Sequence, residues 1–263
     1  MWPDSIIHLF VGGSGMHGGT GHKPSDLDLM GVYIQPIELV LGITQMTTDD
    51  KGMKHVFQPD VQVWSTSKDT VKNSADDIDL NLFSLRKWSS MAATGNTNAL
   101  EFLFVPNTAW SAGNASIWNE FVAPNAQHFI SKRAAYHFSE FAKGMLKRLK
   151  GGEGSGKHGQ RPDLIDEFGY DTKAAMHLIR VLEEGRELMD TGKITLPRPN
   201  AQLLKRIRSG EFDWVEIEFM YDNRQAALFA AQENSSLPAE LDRAKISSII
   251  TAAQLEFWGY GDR

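Results

Sequence analysis

The stretch IIHLFVGGSGMHGGTGHKPSDLDLM, residues 6–30, decides the fold of the N-terminal half of the chain. An apolar run of β-forming residues ends at Gly12, a glycine-rich loop follows, and a strand-like segment then carries Asp26 and Asp28. Side chains alternate between the two faces of a strand, so both carboxylates of this Asp-Leu-Asp sequence point the same way. Two carboxylates about 4 Å apart repel each other by roughly 1–4 kcal/mol. The pattern therefore predicts a divalent cation between them.

The composition describes an ordinary soluble globular protein. Of 263 residues 41% are hydrophobic and 23% are charged, a size that allows one large domain or two small ones. The absence of cysteine excludes disulfides and thiolate catalysis. No apolar run is long enough to span a membrane, and the start of the sequence lacks the basic region of a secretion signal, so we expect a cytoplasmic protein. The formal net charge of −6 argues against a protein that coats nucleic acid without specificity.

Hydrophobic periodicity divides the chain into a mixed half and a helical half, an α+β pattern. Alternation or a buried apolar run predicts strands at Ile6–Val11, Leu27–Ile34, Asp60–Trp64 and Asp76–Leu85. A helix is expected from residue 86 to Gly95, and residues 98–104 fit either a helix or a strand. From residue 112 the pattern is helical, with segments predicted at Ile130–Leu149, Tyr170–Thr191, Ala201–Ser209, Trp214–Asn234 and Ala239–Phe257.

The glycine loop and the aspartates together suggest a phosphate and metal site. Glycines let the backbone approach a phosphate closely, and Ser14 adds a hydroxyl donor. Mg²⁺ is bound by one or two carboxylates together with substrate phosphates, as Asp26 and Asp28 would allow. A third carboxylate from a neighbouring strand would complete a two-metal arrangement. Asp79 is the preferred candidate, and Asp77, on the same face of its strand, is the alternative.

The helix predicted from Tyr170 carries a polar stripe. Lys173, His177, Arg180 and Glu184 fall within a narrow arc, whereas the apolar residues face the other way. This pattern fits either a solvated helix face or a set of cations that binds a triphosphate or an RNA backbone.

Residues 132–161 form a locally basic segment in an acidic protein. Its cations are opposed within the segment by Glu140 and Glu153 only, so it is the best candidate for an RNA contact, the alternative being a solvated helix face. Gly151–Lys157 matches the spacing of a P-loop, but His158 replaces the Ser or Thr that would hold Mg²⁺, and we interpret this stretch as a connector.

Three further polar residues have open interpretations. His17 and His22 in the glycine loop could touch phosphate or metal, or could be ordinary exposed histidines. Glu101 lies among large apolar residues and needs a partner, either at a functional site or in a salt bridge to Arg86 or Lys87.

Several motifs resemble those of one family. Gly13-Ser14 followed by Ser25-Asp26-Leu27-Asp28 is similar to the Gly-Ser…Asp-x-Asp signature of the DNA polymerase β nucleotidyltransferase superfamily. The resemblance narrows to the RNA-ligase-associated subgroup of bacteria and phages through the stretches FSLRKW (83–88), GNTNALE (95–101) and GYDTKAAMHLIR (169–180). It covers roughly residues 6–240 and implies a polymerase-β-like module with a mixed sheet at residues 1–110 and a helical domain at residues 111–263.

The resemblance also implies an activity and a set of site residues. It implies metal-dependent transfer of a nucleotidyl group from an NTP to a hydroxyl, in RNA repair, with Mg²⁺ or Mn²⁺ as the metal. The implied metal ligands are Asp26, Asp28 and Asp79. The implied nucleotide-binding residues are Gly13, Ser14, Ser25, Lys173, His177 and Arg180.

The glycine loop departs from the family pattern. Relatives often have a basic or bulky residue directly after the Gly-Ser pair, where this chain has Gly15, and the loop also carries Gly18, Gly19 and Gly21. The alternative hypothesis is therefore a catalytically degenerate protein of the same fold that binds nucleotide or RNA without turnover. The sequence leaves the NTP, the acceptor and the oligomeric state open.

Overall fold

The computed structural model describes residues 3–19, 27–42, 46–48, 54–56, 60–67, 77–106, 114–151 and 161–261. In this part of the chain, four strands form a mixed sheet in the order β1-β2-β6-β5 and two short strands form a hairpin. The strands are β1 (Ile6–Val11), β2 (Leu27–Tyr33), β3 (Met46–Thr48), β4 (Lys54–Val56), β5 (Val61–Ser65) and β6 (Ile78–Ser84). β2 runs antiparallel to β1 and parallel to β6, and β5 is antiparallel to β6. The predicted α+β fold with a mixed sheet is confirmed.

The two faces of the sheet have different neighbours. Leu29, Leu80 and Leu82 lie on one face, in a small apolar cluster. Phe10 and Val32 lie on the other face and belong to the main hydrophobic core, which continues into the helical half. The predicted domain boundary at residue 110 falls in residues 107–113, outside the described residues.

The helices follow the predicted pattern closely. In chain order the described α-helices are α1 (Gly13–Met16), α2 (Ile37–Leu41), α3 (Leu85–Ala93), α4 (Thr97–Glu101), α5 (Ala115–Ile117), α6 (Arg133–Leu149), α7 (Pro162–Phe168), α8 (Thr172–Thr191), α9 (Ala201–Arg208), α10 (Trp214–Asn234) and α11 (Arg243–Phe257). Single 3₁₀ or π segments lie at Pro3–Ser5, Phe102–Phe104, Trp118–Val122 and Ala123–Phe129. Residues 98–104 are thus helical, and the Asn96 side chain caps their start by accepting from the Ala99 N–H. Among the described helices, none has the length and apolarity needed to cross a bilayer.

α8 is the central helix of the second half. Its start is fixed by Asp171, whose carboxylate accepts hydrogen bonds from two backbone N–H groups of the first turn, and its end by Gly192 in the left-handed conformation. It packs against α6, α9 and α10. Because helices cover it on several sides, the polar stripe is largely buried as well, and Glu184 is 0% exposed. The interpretation of this stripe as a solvated face is wrong for its C-terminal part.

Candidate active site

The glycine turn (Gly12–Gly13) after β1 lies next to the N-terminal ends of β2 and β6, the two central strands of the sheet. The Gly12 N–H donates a hydrogen bond to the Asp28 carbonyl oxygen at 2.8 Å, which holds the turn against β2. Asp28 and Asp79 are direct partners in the parallel register of β2 and β6. Neighbouring strands lie about 4.8 Å apart and paired side chains share a face, so both carboxylates can reach one cation between them.

These two carboxylates face the helical half. Met30 and Phe83, which follow them on the same faces of β2 and β6, pack against the main hydrophobic core. Both aspartates are half-buried. The pair therefore lies where the sheet meets the helices, at the strand ends next to the glycine turn.

Gly13 has a steric reason to be glycine. Its φ angle is +57°, and a Cβ atom at this position would lie 2.1 Å from Asp28 Oδ2. The Asp28 carboxylate thus lies directly against the backbone of the turn, with the half-buried Ser14 next in the chain. The structure brings three of the predicted site residues together here: Gly13, Ser14 and Asp28.

The pairing of strands separates the two candidates for the third carboxylate. Asp79 lies beside Asp28, whereas Asp77 precedes β6 and its Oδ1 accepts a hydrogen bond from Thr66 Oγ1 at 3.0 Å. This geometry favours Asp79. The predicted residues Ser25 and Asp26, with His22, fall in residues 20–26, outside the described residues.

The glycine turn is joined to α8 through a buried ion network. His17, directly after α1, is 5% exposed, and its Nε2 accepts a hydrogen bond from Arg180 Nη1 at 2.7 Å. The same Nη1 donates to Glu101 Oε1 at 2.5 Å and to Glu184 Oε1 at 3.0 Å. Arg180 is therefore compensated by two carboxylates. Glu101 pairs with Arg180, not with the predicted partners Arg86 or Lys87.

Burial sets the protonation of this network. Burial, followed by the charge of Arg180, lowers the pKa of His17 to about 2, so the imidazole is neutral. Burial alone would lower the pKa of Arg180, but Glu184 and Glu101 outweigh it and raise the pKa. Burial raises the pKa of Glu184 against the lowering effect of Arg180. The shorter contact of the imidazole with Arg180 Nη1 is through Nε2, and Nδ1 lies 3.6 Å from Glu184 Oε1.

The same network contains a group that could hold a metal ion. His17, Glu101 and Glu184 offer ligand atoms that all lie within 4.8 Å of one another. Arg180 Nη1, however, is hydrogen-bonded to all three residues and supplies the positive charge that the two carboxylates require. An ion could bind there only if the guanidinium moved away.

Arg198 is a second cation of this region, and its role was not predicted from the sequence. Arg198 is 5% exposed, lies 3.7 Å from Glu184 and pairs with Glu187 Oε2 at 2.5 Å. The sequence signal was the excess of acidic residues in the second half of α8, which needs cations from elsewhere when the helix is buried.

The start of α8 borders an open cleft. Lys173 and His177, predicted to bind nucleotide, both line it. Arg148 and Arg161 from the basic segment line it as well. The structure thus separates the predicted stripe, with Lys173 and His177 at this cleft and Arg180 in the buried network.

Much of the basic segment is paired with acids. Lys143 binds Glu140, the predicted opposing acid, at 2.6 Å. Lys150 lies 2.6 Å from Glu218, and Arg133 lies 3.6 Å from Glu240. Glu140 and Glu153 are the only acids within the segment, but α10 and the chain before α11 bring further carboxylates to it from outside. Residues 152–160 lie outside the described part.

Comparisons with known proteins support the same family. The family model described as "RlaP: RNA repair pathway DNA polymerase beta family" matches residues 3–254. No curated protein matches the chain. The crystal structure of a nucleotidyltransferase-like protein from Exiguobacterium sibiricum aligns with 97% of this chain and 72% of that chain at 10% sequence identity. Its TM-score of 0.26 is too low to indicate a shared fold. On the family match over nearly its whole length, the chain belongs to the RNA repair pathway DNA polymerase β family, a family of polymerase-β-like nucleotidyltransferases.

Proposed function

We propose that the protein transfers a nucleotidyl group from an NTP to an acceptor hydroxyl, using Mg²⁺ or Mn²⁺ held by Asp26, Asp28 and Asp79. The observation that carries this proposal is the pairing of Asp28 with Asp79 in register, on the face of the sheet toward the helices. Hard cations such as Mg²⁺ prefer carboxylate ligands, and two carboxylates on adjacent strands can bind one ion together.

The glycine turn is proposed to bind the phosphates. Backbone N–H groups at Gly13 and the hydroxyl of Ser14 can donate to phosphate oxygens, with Ser25 as a further donor. Asp28 lies against Gly13, which places a phosphate bound at the turn next to the carboxylate pair. When bound, the metal ions would polarise the phosphate and lower the pKa of the attacking hydroxyl.

Arg180 is proposed to act on this site through His17. The guanidinium holds His17 at 2.7 Å, and His17 ends the segment that begins at Gly13. Arg180 therefore positions the turn, whereas Lys173 and His177 remain the candidates for direct contact with phosphate. RNA is the proposed acceptor, because the family is an RNA repair family and because Arg148 and Arg161 of the basic segment line the same cleft as Lys173.

The test is transfer of label from α-³²P-labelled NTPs to a pool of RNA in the presence of Mg²⁺ or Mn²⁺. We expect labelled RNA and release of pyrophosphate from the wild-type protein. Loss of a residue that merely orients a metal ligand typically costs 10–100-fold, so Asp28→Asn and Asp79→Asn should each lower the rate by at least about 100-fold. Asp222→Asn, an exposed position on α10, serves as the control.

The outcomes separate the proposal from its alternative. Full activity in either Asp28→Asn or Asp79→Asn would overturn the metal assignment. Metal-enhanced NTP binding by calorimetry, without transfer to any RNA or release of pyrophosphate, would instead identify a nucleotide-binding protein that has lost turnover.

A further inference from the structure

Strand β5 extends the row of side chains that contains the carboxylate pair. Ser65 on β5 is the register partner of Asp79 on β6, and Asp79 is the partner of Asp28 on β2. The Thr66 N–H donates a hydrogen bond to the Ile78 carbonyl oxygen at 3.0 Å. The adjacent pair, Ser65 and Asp79, is therefore of the non-hydrogen-bonded type, in which the two Cα atoms lie about 4.5 Å apart. The two aspartates and Ser65 form one row across three strands.

The next row on the same face holds another polar side chain. Asn81 follows Asp79 by two residues on β6 and so lies on the same face, about 6.6 Å further along the strand. Its register partners are Met30 on β2 and Val63 on β5. Asn81 is half-buried, and its amide forms no hydrogen bond within the described part of the chain. A half-buried amide without a partner, beside a carboxylate of the site, is a group that a ligand can satisfy.

This face of the sheet is open to solvent at β5. Val63 is 71% exposed, and Ser65 is exposed as well. On β6, by contrast, Phe83 of the same face packs against the main hydrophobic core. A ligand bound at Asp79 can therefore extend over β5.

The glycine turn and β5 lie on opposite sides of the carboxylate pair. The strand order is β1-β2-β6-β5, the turn follows β1, and Asp28 of β2 lies against Gly13. Asp79 is on β6, and β5 is the outer strand beyond it. Phosphates bound at the turn, as proposed above, would occupy the β1 side of the pair. The β5 side is then left for the acceptor.

The polar groups on the β5 side match the hydroxyl groups of a ribose. The Asn81 amide offers both a donor and an acceptor. Ser65 Oγ accepts a hydrogen bond from the Ser67 N–H at 3.0 Å, and its own O–H can still donate. When the 3′-hydroxyl of a terminal nucleotide lies at the carboxylate pair, the 2′-hydroxyl on the next carbon is within reach of this row. The 2′-hydroxyl both donates and accepts, and it is the group by which a protein distinguishes RNA from DNA.

We propose that Asn81, assisted by Ser65, binds the 2′-hydroxyl of the terminal nucleotide of the acceptor and so selects RNA over DNA. The inference rests on the proposed function, because it assigns the acceptor side of the same site. Asn81 determines specificity by holding the substrate, whereas the aspartates hold the metal. The exposed Val63 beside Asn81 offers an apolar surface to the sugar or base of that nucleotide.

The test compares two acceptors that differ in one hydroxyl group. They are RNA decamers of one sequence whose 3′-terminal nucleotide is either a ribonucleotide or its 2′-deoxy counterpart. Label transfer from the NTP to each decamer is measured on the full chain with Mg²⁺. The wild type should prefer the ribonucleotide end at least about tenfold in kcat/KM, because the analogue leaves the polar groups of the site unpaired. In Asn81→Ala this preference should fall to about twofold or less.

The preference is a ratio measured within one protein, so a variant with a lower overall activity still reports it. Asn81→Ala should fold normally, because its amide has no hydrogen bond to lose in the described part of the chain. Asn223→Ala is the matched control, since Asn223 is exposed on α10 and its amide donates to the Phe219 carbonyl oxygen; it should keep the wild-type ratio. A wild type without preference, or an unchanged ratio in Asn81→Ala, overturns the proposal.

A second pair of substrates tests which ribose Asn81 contacts. The NTP that labels RNA most efficiently is compared with its 2′-deoxy counterpart, with the ribonucleotide-ended decamer as acceptor. The wild type and Asn81→Ala should discriminate between these two donors equally. If Asn81→Ala changed the donor ratio and left the acceptor ratio intact, Asn81 would bind the ribose of the NTP, and its assignment to the acceptor would be overturned.

Binding of the decamers without NTP separates this inference from the proposed function. Fluorescence anisotropy with labelled decamers and Mg²⁺ requires no turnover. Tighter binding of the ribonucleotide-ended decamer that Asn81→Ala removes, in a protein without transfer activity, would refute the proposed function alone. Transfer to RNA with equal acceptor ratios in the wild type and Asn81→Ala would refute this inference alone. Absence of both transfer and decamer binding would refute both.

Discussion

Replacement of Arg180 by methionine should strongly destabilise the protein. The guanidinium is 5% exposed and is hydrogen-bonded to Glu101 and Glu184, which are 3% and 0% exposed. Methionine has a similar length but no charge, so Arg180→Met leaves two buried carboxylates without this cation. Breaking a buried ion pair from one side costs about 3–5 kcal/mol. For a chain of this size, that loss corresponds to a fall in Tm of roughly 6–20 °C.

Thermal and urea unfolding, followed by circular dichroism, measure this effect. Arg186→Met is the matched control, because Arg186 lies on the same helix and forms an exposed pair with Asp190, where a loss below about 1 kcal/mol is expected. The variant Arg180→Met/Glu101→Gln/Glu184→Gln should recover part of the lost stability, since it removes the uncompensated carboxylates. A loss below about 1 kcal/mol in Arg180→Met would refute the buried network as a source of stability.

Three further predictions follow from the glycine turn, the buried histidine and the cap of α8. Gly13→Ala should lower nucleotidyl transfer at least about tenfold, because its Cβ would collide with Asp28 Oδ2. Gly19→Ala, with φ +66° and no atom of the described residues within 4 Å of an added Cβ, should cost only about 1 kcal/mol of left-handed strain, and equal effects of the two variants on activity would contradict this. The depressed pKa of His17 contributes stability that is present above pH 6.5 and is lost as the pH falls toward about 2, at about 1.4 kcal/mol per pH unit. Below pH 6.5 the unfolding midpoint of His17→Gln should therefore fall less steeply with pH than that of the wild type, and parallel curves would contradict a depressed pKa of His17. Asp171→Ala should cost about 1–2 kcal/mol in urea unfolding through loss of the cap, and an unchanged midpoint would argue against it.

The sequence was sufficient to predict the four strands of the main sheet, but not the short strands β3 and β4 and not how the strands pair. Alternation identified β2 and β6 and put Asp77 and Asp79 on one face, because the period of a strand is two residues. Two positions on one face of a strand differ in which residue of the neighbouring strand lies opposite each of them, and the register of pairing determines that residue. The register places Asp79 beside Asp28. No local pattern contains this information, so the sequence could prefer Asp79 but only the structure shows which of the two aspartates lies beside Asp28.

The helical period likewise predicted which side chains of α8 share a face, but not which of them other elements cover. It placed Lys173, His177, Arg180 and Glu184 on one stripe, and α8 has the predicted length to within two residues. What the period cannot show is which part of a stripe another element covers. Glu101 lies 79 residues before Arg180 in the chain, and this distant carboxylate is what makes burial of the guanidinium tolerable. Sequence indicated that Glu101 needed a partner but not which one.

The stripe on α8 therefore combines two physical roles in one helix. At its first turns Lys173 is exposed and borders an open cleft, whereas two to three turns later Arg180 and Glu184 are buried and paired. A buried cation must have its charge compensated, as Glu101 and Glu184 compensate Arg180, whereas an exposed cation is solvated. His177 lies between the two and contacts Arg180 through Nδ1 while it lines the cleft. His177 and Arg180 therefore connect the cleft to His17, the residue that directly follows α1 and the glycine turn.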